Sequence, residues 1–419
     1  MFLKSRCLIA VILVCSIFIF FSCANNKPIT RPPETVEETE PPVSPESEEP
    51  EEAVETIKTA TFIAAGDNLI HDTIYKQARA RTTDGTYDFF PLYEHILPLV
   101  SSKDFAFINQ ETVLASPPFE PSTYPRFCSP TVLGDFLIEA GFNMFSVSNN
   151  HMLDKGEEGL KVSIDYWAQK EGIAVSGAFR DEEDLQNIRT IEKNDIKLSL
   201  IAVTSSTNGL VLPVKSPLKI IKTENEELLE QQVKAAREIS DFVVVSMHWG
   251  VEYATKNSEN QRIIAQKLAD WGADLIIGTH PHVLQPVEEL VSTDGRKVLV
   301  AYSIGNFVSA QNEGPRIIGA MLSLDLEKNL STGETYYKNP CLIPTVTHYG
   351  AGFSDLKIYP LSDYEPDLAK SHGVRKYTDG FDINYVIKNL TMIVDDAYLQ
   401  IPDNIQALLA KQYEVFLLR

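Results

Sequence analysis

Carboxylates, amides and imidazoles gather in this chain at five places where a short apolar run stops. Ala64-Ala65-Gly66-Asp67 closes the first run, Ile108-Asn109-Gln110-Glu111 the second and Ser148-Asn149-Asn150-His151 the third. Ser246-Met247-His248-Trp249-Gly250 and Gly278-Thr279-His280-Pro281-His282 close two more, so four of the eight histidines lie in these endings. Asp67, Glu111, Asn150, His248, His280 and His282 together offer two carboxylates, one amide and three imidazoles. That is a hard-to-borderline N/O ligand set. It suits Zn, Mn or Fe rather than thiolate-seeking metals, and two carboxylates leave room for one or two divalent ions. His280 and His282 alternate around a proline, which lets one loop present both rings to a single cluster.

The elements that must position these residues are legible as an alternation of β-rich runs and helical stretches, which predicts an α/β layered domain from Thr59 onward. Strands are expected at Thr61–Ala65, Asp104–Ile108, Met144–Val147, Lys197–Val203, Asp241–Ser246, Leu275–Ile277 and Lys297–Tyr302. Their continuous apolar runs suit strands covered on both faces. Helices are expected at Glu157–Lys170, Glu226–Ser240 and Asn260–Trp271, the last with Ile263, Ile264, Leu268 and Trp271 as its core positions. In open α/β sheets ligands sit outside the carboxyl ends of strands, so the five endings should converge on one rim. Each residue alone has a plain alternative: Asp67 as a helix cap, Asn149-Asn150 as a turn, a histidine as a hydrogen-bonded loop residue. Five strand ends sharing the coincidence is what favours a cluster.

The ordered series Gly-Asp, Asn-x-Glu, Asn-Asn-His, His-Trp-Gly, Gly-x-His-Pro-His and Ser-Ile-Gly-Asn-Phe runs over about 61–310. It resembles the CapA-type capsule proteins, bacterial poly-γ-glutamate biosynthesis proteins of the calcineurin-like metallophosphoesterase superfamily. The resemblance implies a four-layer α/β/β/α sandwich with a metal centre at one edge. It implies that Asp67 and His282 serve a first metal, that Glu111 bridges two, and that Asn150, His248 and His280 complete the second. His151 would be the general acid or a transition-state donor. The superfamily's opening Asp-x-His is here Asp67-Asn68-Leu69, so His71 is the candidate replacement ligand, against a structural or substrate role.

Around this set stand four further candidates for substrate contact or for supporting the ligands. Asp154, three residues after His151, is either a partner for that imidazole or a cap for the following helix. Arg126 could pair a substrate carboxylate or phosphate, or form a surface ion pair. Glu252 and Asn306 lie close in sequence to the expected metal rim.

Composition excludes several classes. Lys and Arg total 37 against 58 Asp and Glu, a formal charge of −21, which argues against a nucleic-acid partner. Five cysteines are too few for a disulfide scaffold, and Cys128 with Cys341 could pair or stay free. Lys4 and Arg6 precede an apolar run from Cys7 to Phe21, about 22 Å as a helix and short for a bilayer core. With Phe20-Phe21-Ser22-Cys23-Ala24 at its end, it resembles a lipoprotein signal with Cys23 as the lipidated residue, an uncleaved anchor being the alternative. Residues 25–58 hold ten Glu and seven Pro, a composition expected to stay disordered. The expected organisation is therefore a signal over 1–23, an acidic tether over 24–58, the metallophosphoesterase-like domain over 59–325 and a packed C-terminal extension over 326–419. His348 and His372 in that extension read as surface residues.

The leading expectation is an extracytoplasmic protein tethered to the bacterial cytoplasmic membrane. It would serve capsule poly-γ-glutamate assembly or export beside a membrane synthase complex, as a metal-dependent hydrolase acting on phosphoester or amide bonds. A phosphoesterase acting on an extracellular phosphate ester, and a non-catalytic scaffold subunit of a polymer synthase, remain open alternatives. No Gly-x-x-x-x-Gly-Lys-Ser/Thr loop occurs, so an ATP-driven ligation step would fall to a partner.

Overall fold

The computed structural model describes residues 56–408 and 410; the expected signal, Cys23 and nearly all of the expected tether lie outside these residues. The chain opens with β1 (Ile57–Asn68), β2 (Phe105–Asn109), β3 (Met144–Ser146) and β4 (Ala174–Ser176), parallel neighbours in one sheet. Helices α1 (Asp72–Ala80), α2 (Val132–Glu139) and α3 (Gly156–Trp167) lie between them in the chain. The second sheet follows, with β5 (Arg189–Lys193), β6 (Ile196–Thr204), β7 (Phe242–His248), β8 (Leu275–Thr279), β9 (Val287–Val291) and β10 (Lys297–Ala301) in the order β9-β10-β8-β7-β6-β5. The chain then returns to the first sheet with β11 (Asn306–Val308), β12 (Ile318–Asn329), β13 (Thr335–His348) and β14 (Lys357–Pro360). That sheet reads β14-β13-β12-β1-β2-β3-β4, with β11 paired to the end of β1.

The two sheets face each other, with helices outside, in a four-layer α/β/β/α sandwich. Alternation along the second sheet shows how the layers form. Leu198, Leu200, Val244, Leu275 and Ile277 join the core shared with Phe62, Phe105 and Phe107 of the first sheet. Their neighbours Ile201, Val203, Val243, Val245 and Ile276 pack instead against the outer helices α4 (Glu226–Ile239) and α5 (Glu259–Trp271). Both faces are therefore apolar, which is why these strands read as unbroken hydrophobic runs. Each large side chain so buried contributes about 1.5–3 kcal/mol.

The two outer helices begin at capping residues. The Asn225 side chain accepts from the Leu228 amide, and Ser258 with Gln261 forms a reciprocal capping box. In α5 the buried stripe is Ile264, Ala265, Leu268 and Ala269, while Ile263 is 48% exposed. The expectation of Ile263 as core is corrected: two alanines bring this helix close to the sheet and turn Ile263 a quarter-turn away.

The C-terminal region is not an appendage. β12 crosses the boundary expected at 325/326 and pairs with β1 from Ile57 to Ala64, while β13 and β14 extend the same sheet outward. Cys128 and Cys341 are both free thiols. His348 and His372 are buried rather than on the surface. The His372 ring uses both nitrogens: Nδ1 accepts from the Val374 amide at 2.9 Å and Nε2 donates to the Thr347 carbonyl at 3.0 Å. Burial, then the neighbouring His348, pushes His372 down to about 3, and burial pushes His348 down to about 4. Both are neutral in the fold but titrate near 6.5 when unfolded. A base with a depressed folded pKa contributes stability above the unfolded value and loses it as pH falls. Resistance to urea is therefore expected to fall as pH drops from 6.5 to about 3, with a shallower slope in His348→Gln. An unchanged slope in that variant would remove the pair as its cause.

Candidate metal centre

Register places the chemistry. At the carboxyl end of β1, Asp67 pairs across to Asn109 of β2 on one side and to Asn306 of β11 on the other. In the second sheet the last residue of β7, His248, stands opposite Thr279, the last of β8. The His280-Pro281-His282 loop leaves from there and returns to the first sheet, where the His280 amide donates to Asp67 Oδ2 at 3.0 Å. Gly66 is required at this crossing, since a Cβ there would lie 2.0 Å from the Gly305 carbonyl oxygen. Gly278 meets the same limit, 1.8 Å from the Tyr302 oxygen. Both glycines of the opening motifs are thus explained by close backbone approach. His280 (φ 94°) and His282 (φ 59°) are held in the left-handed region, where residues other than glycine are strained.

Two groups of ligand atoms result. Asp67, Glu111 and His282 each offer one atom within 4.8 Å of the others, and all three side chains are buried. Both Glu111 carboxylate oxygens are buried, with no hydrogen-bond partner among the described residues. The second group surrounds His248 Nε2, with Asn150 Oδ1 at 3.0 Å, His280 Nδ1 at 3.2 Å and Glu111 Oε1 at 3.7 Å. Glu111 stands between the groups, since the same Oε1 is 3.7 Å from His282 Nε2.

Electrostatics agrees with a cation site. Burial, then the Asp67 charge, pushes the Glu111 carboxyl well above the usual carboxylate range. Burial alone would depress His282, but the Glu111 and Asp67 carboxylates outweigh it and push the imidazole up to about 9. Burial holds His248 and His280 below their ordinary value, and hence in the neutral form that a metal ligand needs. A buried carboxylate with two orphaned oxygens beside the neutral imidazoles of His248 and His280 fits a divalent cation.

The supporting residues orient these rings. His282 Nδ1 lies 2.9 Å from Asn306 Oδ1. The Asn306 amide is fixed in that orientation by donating to the Arg316 carbonyl at 2.7 Å and to Gln311 at 2.9 Å. With Nδ1 donating to Asn306, Nε2 is the His282 nitrogen that would face a bound cation once its proton is displaced. Thr279 Oγ1 lies 3.0 Å from His248 Nδ1 and serves that ring in the same way. Asn109 Nδ2 donates to Asp67 Oδ1 at 2.7 Å. Tyr253 (φ 66°) donates its amide to the Pro281 carbonyl, packs its ring 6.1 Å from His282 and is stacked beneath the Arg316 guanidinium at 3.5 Å. No role was assigned from sequence to Asn109, Thr279, Tyr253 or Arg316. The first two lie inside the quoted motifs and Asn109 is two residues from Glu111, the one local signal available.

His151 stands beside the cluster on a loop tied to the Glu111 loop, since Asn149 donates to the Gln110 carbonyl and accepts from the His151 amide. Its Nδ1 lies 2.8 Å from Asp154 Oδ2, which also accepts from the Phe127 amide at 2.6 Å. The reading of Asp154 as a helix cap is corrected: α3 has Lys155 at its N-cap and no side-chain cap. His71 stays outside the Asp67–Glu111–His282 group. Its Nδ1 accepts from the Ala310 amide at 3.2 Å, its ring packs edge-on against Phe127, and burial pushes it down to about 4. A cavity of about 430 Å³ lies at the site, lined by Asn150, His151 and His282 together with Arg126, Leu210 and Glu252.

Among solved structures, the chain is similar to a phosphatase from Mycoplasma pneumoniae, 14% identical, covering 70% of this chain and 95% of that one at a TM-score of 0.42. Among curated proteins, the capsule biosynthesis protein CapA of Bacillus anthracis is 33% identical over 178 residues, 41% of each chain. The PGA biosynthesis protein CapA of Bacillus subtilis is 30% identical over 194 residues, 46% of this chain and 49% of that one. The chain thus spans less than half the length of these relatives. The model of the bacterial capsule synthesis protein PGA_cap matches residues 61–311, a stretch that holds all six candidate ligands and His151, and with more than half of its length so matched the chain belongs to that family.

Proposed function

We propose that this chain is a membrane-tethered, extracytoplasmic protein of poly-γ-glutamate capsule assembly or export, and that its metal centre hydrolyses or transfers a bond of the polymer or of a phosphoryl group. The observation that carries this reading is the buried Glu111 carboxylate, unpartnered among the described residues between Asp67–His282 and Asn150–His248–His280, beside a cavity lined by Asn150, His151 and His282. Divalent ions held there would lower the pKa of a water molecule and clamp the oxygens of a phosphoryl or acyl group. The chain's own part is to orient and to move protons. Asp154 holds His151 by Nδ1, so its Nε2 can deliver a proton to a leaving group or withdraw one from a nucleophile. The chain's membership of the capsule synthesis family favours the polymer as substrate, and the names of its Bacillus relatives point the same way.

Among the described residues no helix is long and apolar enough to cross a membrane, so the proposed tether rests on the Cys7–Phe21 run and Cys23. Cys23→Ala should shift the protein out of the membrane fraction or leave it unprocessed. Full retention at normal mass would point to an uncleaved anchor. The activity is tested by loading the full chain with Mn, Zn or Fe and incubating it with poly-γ-glutamate and with nitrophenyl phosphodiester. Metal-dependent shortening of the polymer supports the reading. Hydrolysis of the phosphodiester alone would replace it with the phosphoesterase alternative, and inertness toward both with the scaffold alternative.

A further inference from the structure

We infer that Arg126 is a specificity residue, which pairs a carboxylate on the substrate flanking the bond held at the metal centre; this rests on the proposal that the cavity over the centre receives the substrate. Three features of the molecule carry it.

The first is charge. Among the described residues, Arg126 is the one Lys or Arg that lines the cavity, where Asp154 and Glu252 are also present. The chain as a whole carries a formal charge of −21. A substrate with a second anionic group would be repelled by these carboxylates unless a cation met it.

The second is availability. Arg126 is exposed and forms no ion pair among the described residues, so the surface salt bridge that sequence left open is absent and the guanidinium is free for a ligand. A planar guanidinium suits a carboxylate in a two-point contact.

The third is placement. Arg126 sits on a short arm closed at its base by Ser122 and Cys128, whose backbones exchange hydrogen bonds at 3.0 and 3.1 Å. Ser122 Oγ donates to the Arg126 carbonyl at 2.7 Å. The next residue, Phe127, donates its amide to Asp154 Oδ2, the oxygen that also holds His151, and its ring packs 4.7 Å from that imidazole. One carboxylate oxygen therefore fixes both the proposed proton donor and the arm that carries the cation. Anion contact at Arg126 and proton transfer at His151 are held in a set relation to each other.

The substrate class this selects is a chain in which each scissile amide is flanked by a free carboxylate. A γ-linked glutamate polymer has that arrangement, because every amide leaves an α-carboxylate beside it. A simple phosphate ester does not.

The test is calorimetric titration of the metal-loaded full chain with a γ-linked glutamate pentamer. Arg126→Gln is expected to weaken binding by about 10- to 100-fold, the range for hydrogen bonds to a charged group. Arg126→Lys should retain part of the affinity, since it keeps the charge and loses the two-point geometry. A pentamer with its α-carboxylates methylated should bind the unaltered protein as weakly as the free acid binds Arg126→Gln. Equal affinity of Arg126→Gln and the unaltered protein overturns the assignment, as does failure of the unaltered protein to bind the pentamer. Binding that depends on Arg126 without shortening of the pentamer would leave the anchor standing and remove the hydrolytic reading instead.

Discussion

His151→Ala is expected to lower turnover by about 10²- to 10⁴-fold, the usual contribution of a general acid or base, while leaving the metal content of the protein unchanged. The expectation follows from where the ring is tied. Its Nδ1 is held by Asp154 at 2.8 Å, and neither ligand group contains His151. The neighbouring Asn150, by contrast, places its Oδ1 3.0 Å from His248 Nε2. On the proposed function, adjacent residues of one loop would divide the work between proton transfer and ligation. Asp154→Asn should act through the same ring by weakening its orientation. Elemental analysis beside steady-state kinetics decides the matter. Metal loss in His151→Ala would make the residue a ligand, and undiminished turnover would exclude it from the reaction.

Glu111→Gln is expected to abolish the stabilisation that divalent metal confers. A ligand that binds only the folded state raises its stability by about 4 kcal/mol at a thousandfold excess over the dissociation constant. Glu111 is the residue shared by the two ligand groups, 3.7 Å from both His248 Nε2 and His282 Nε2, and its oxygens have no other partner among the described residues. Glutamine keeps the shape and removes the charge. Metal-free Glu111→Gln should unfold no more easily than the unaltered protein, because burial and Asp67 already disfavour the Glu111 charge. Adding Mn or Zn should then raise the melting temperature of the unaltered protein and leave the variant where it was. Asn306→Ala gives the scale for comparison: an outer partner of a ligand costs about 10- to 100-fold in metal affinity, and Glu111→Gln should exceed that. Equal metal-induced shifts in Glu111→Gln and the unaltered protein would rule out the bridging position.

Much of this arrangement was legible before any fold was known, and the reason is local. A strand covered on both faces must be an unbroken apolar run, so β6, β7 and β8 announce themselves and so do their ends. Polar residues that follow such runs fall on one rim, because parallel strands share a direction. The core stripe of α5 was less legible. Ile263 and Ile264 are equally apolar, and only the fit of Ala265 and Ala269 against the sheet selects one of them. His348 and His372 were misread for a similar reason. Nothing near either one in sequence announces Tyr364 or the Thr347 carbonyl as a partner.

The sequence by itself determined the candidate ligand chemistry, two carboxylates, an amide and three imidazoles, and the strand ends that bear them. It also determined the glycines without which the loops could not cross. The tertiary structure alone decided which atoms meet. Asp67 and the His280 amide are 213 residues apart, and Asn150 and His248 are 98 apart. It alone freed Asp154 from a capping role, left both oxygens of Glu111 without a partner and set Arg126 on an arm bound to the partner of His151. Local sequence encodes residue type and periodicity, whereas burial, orphaned polar atoms and shifted pKa values arise only when distant segments exclude water from one another.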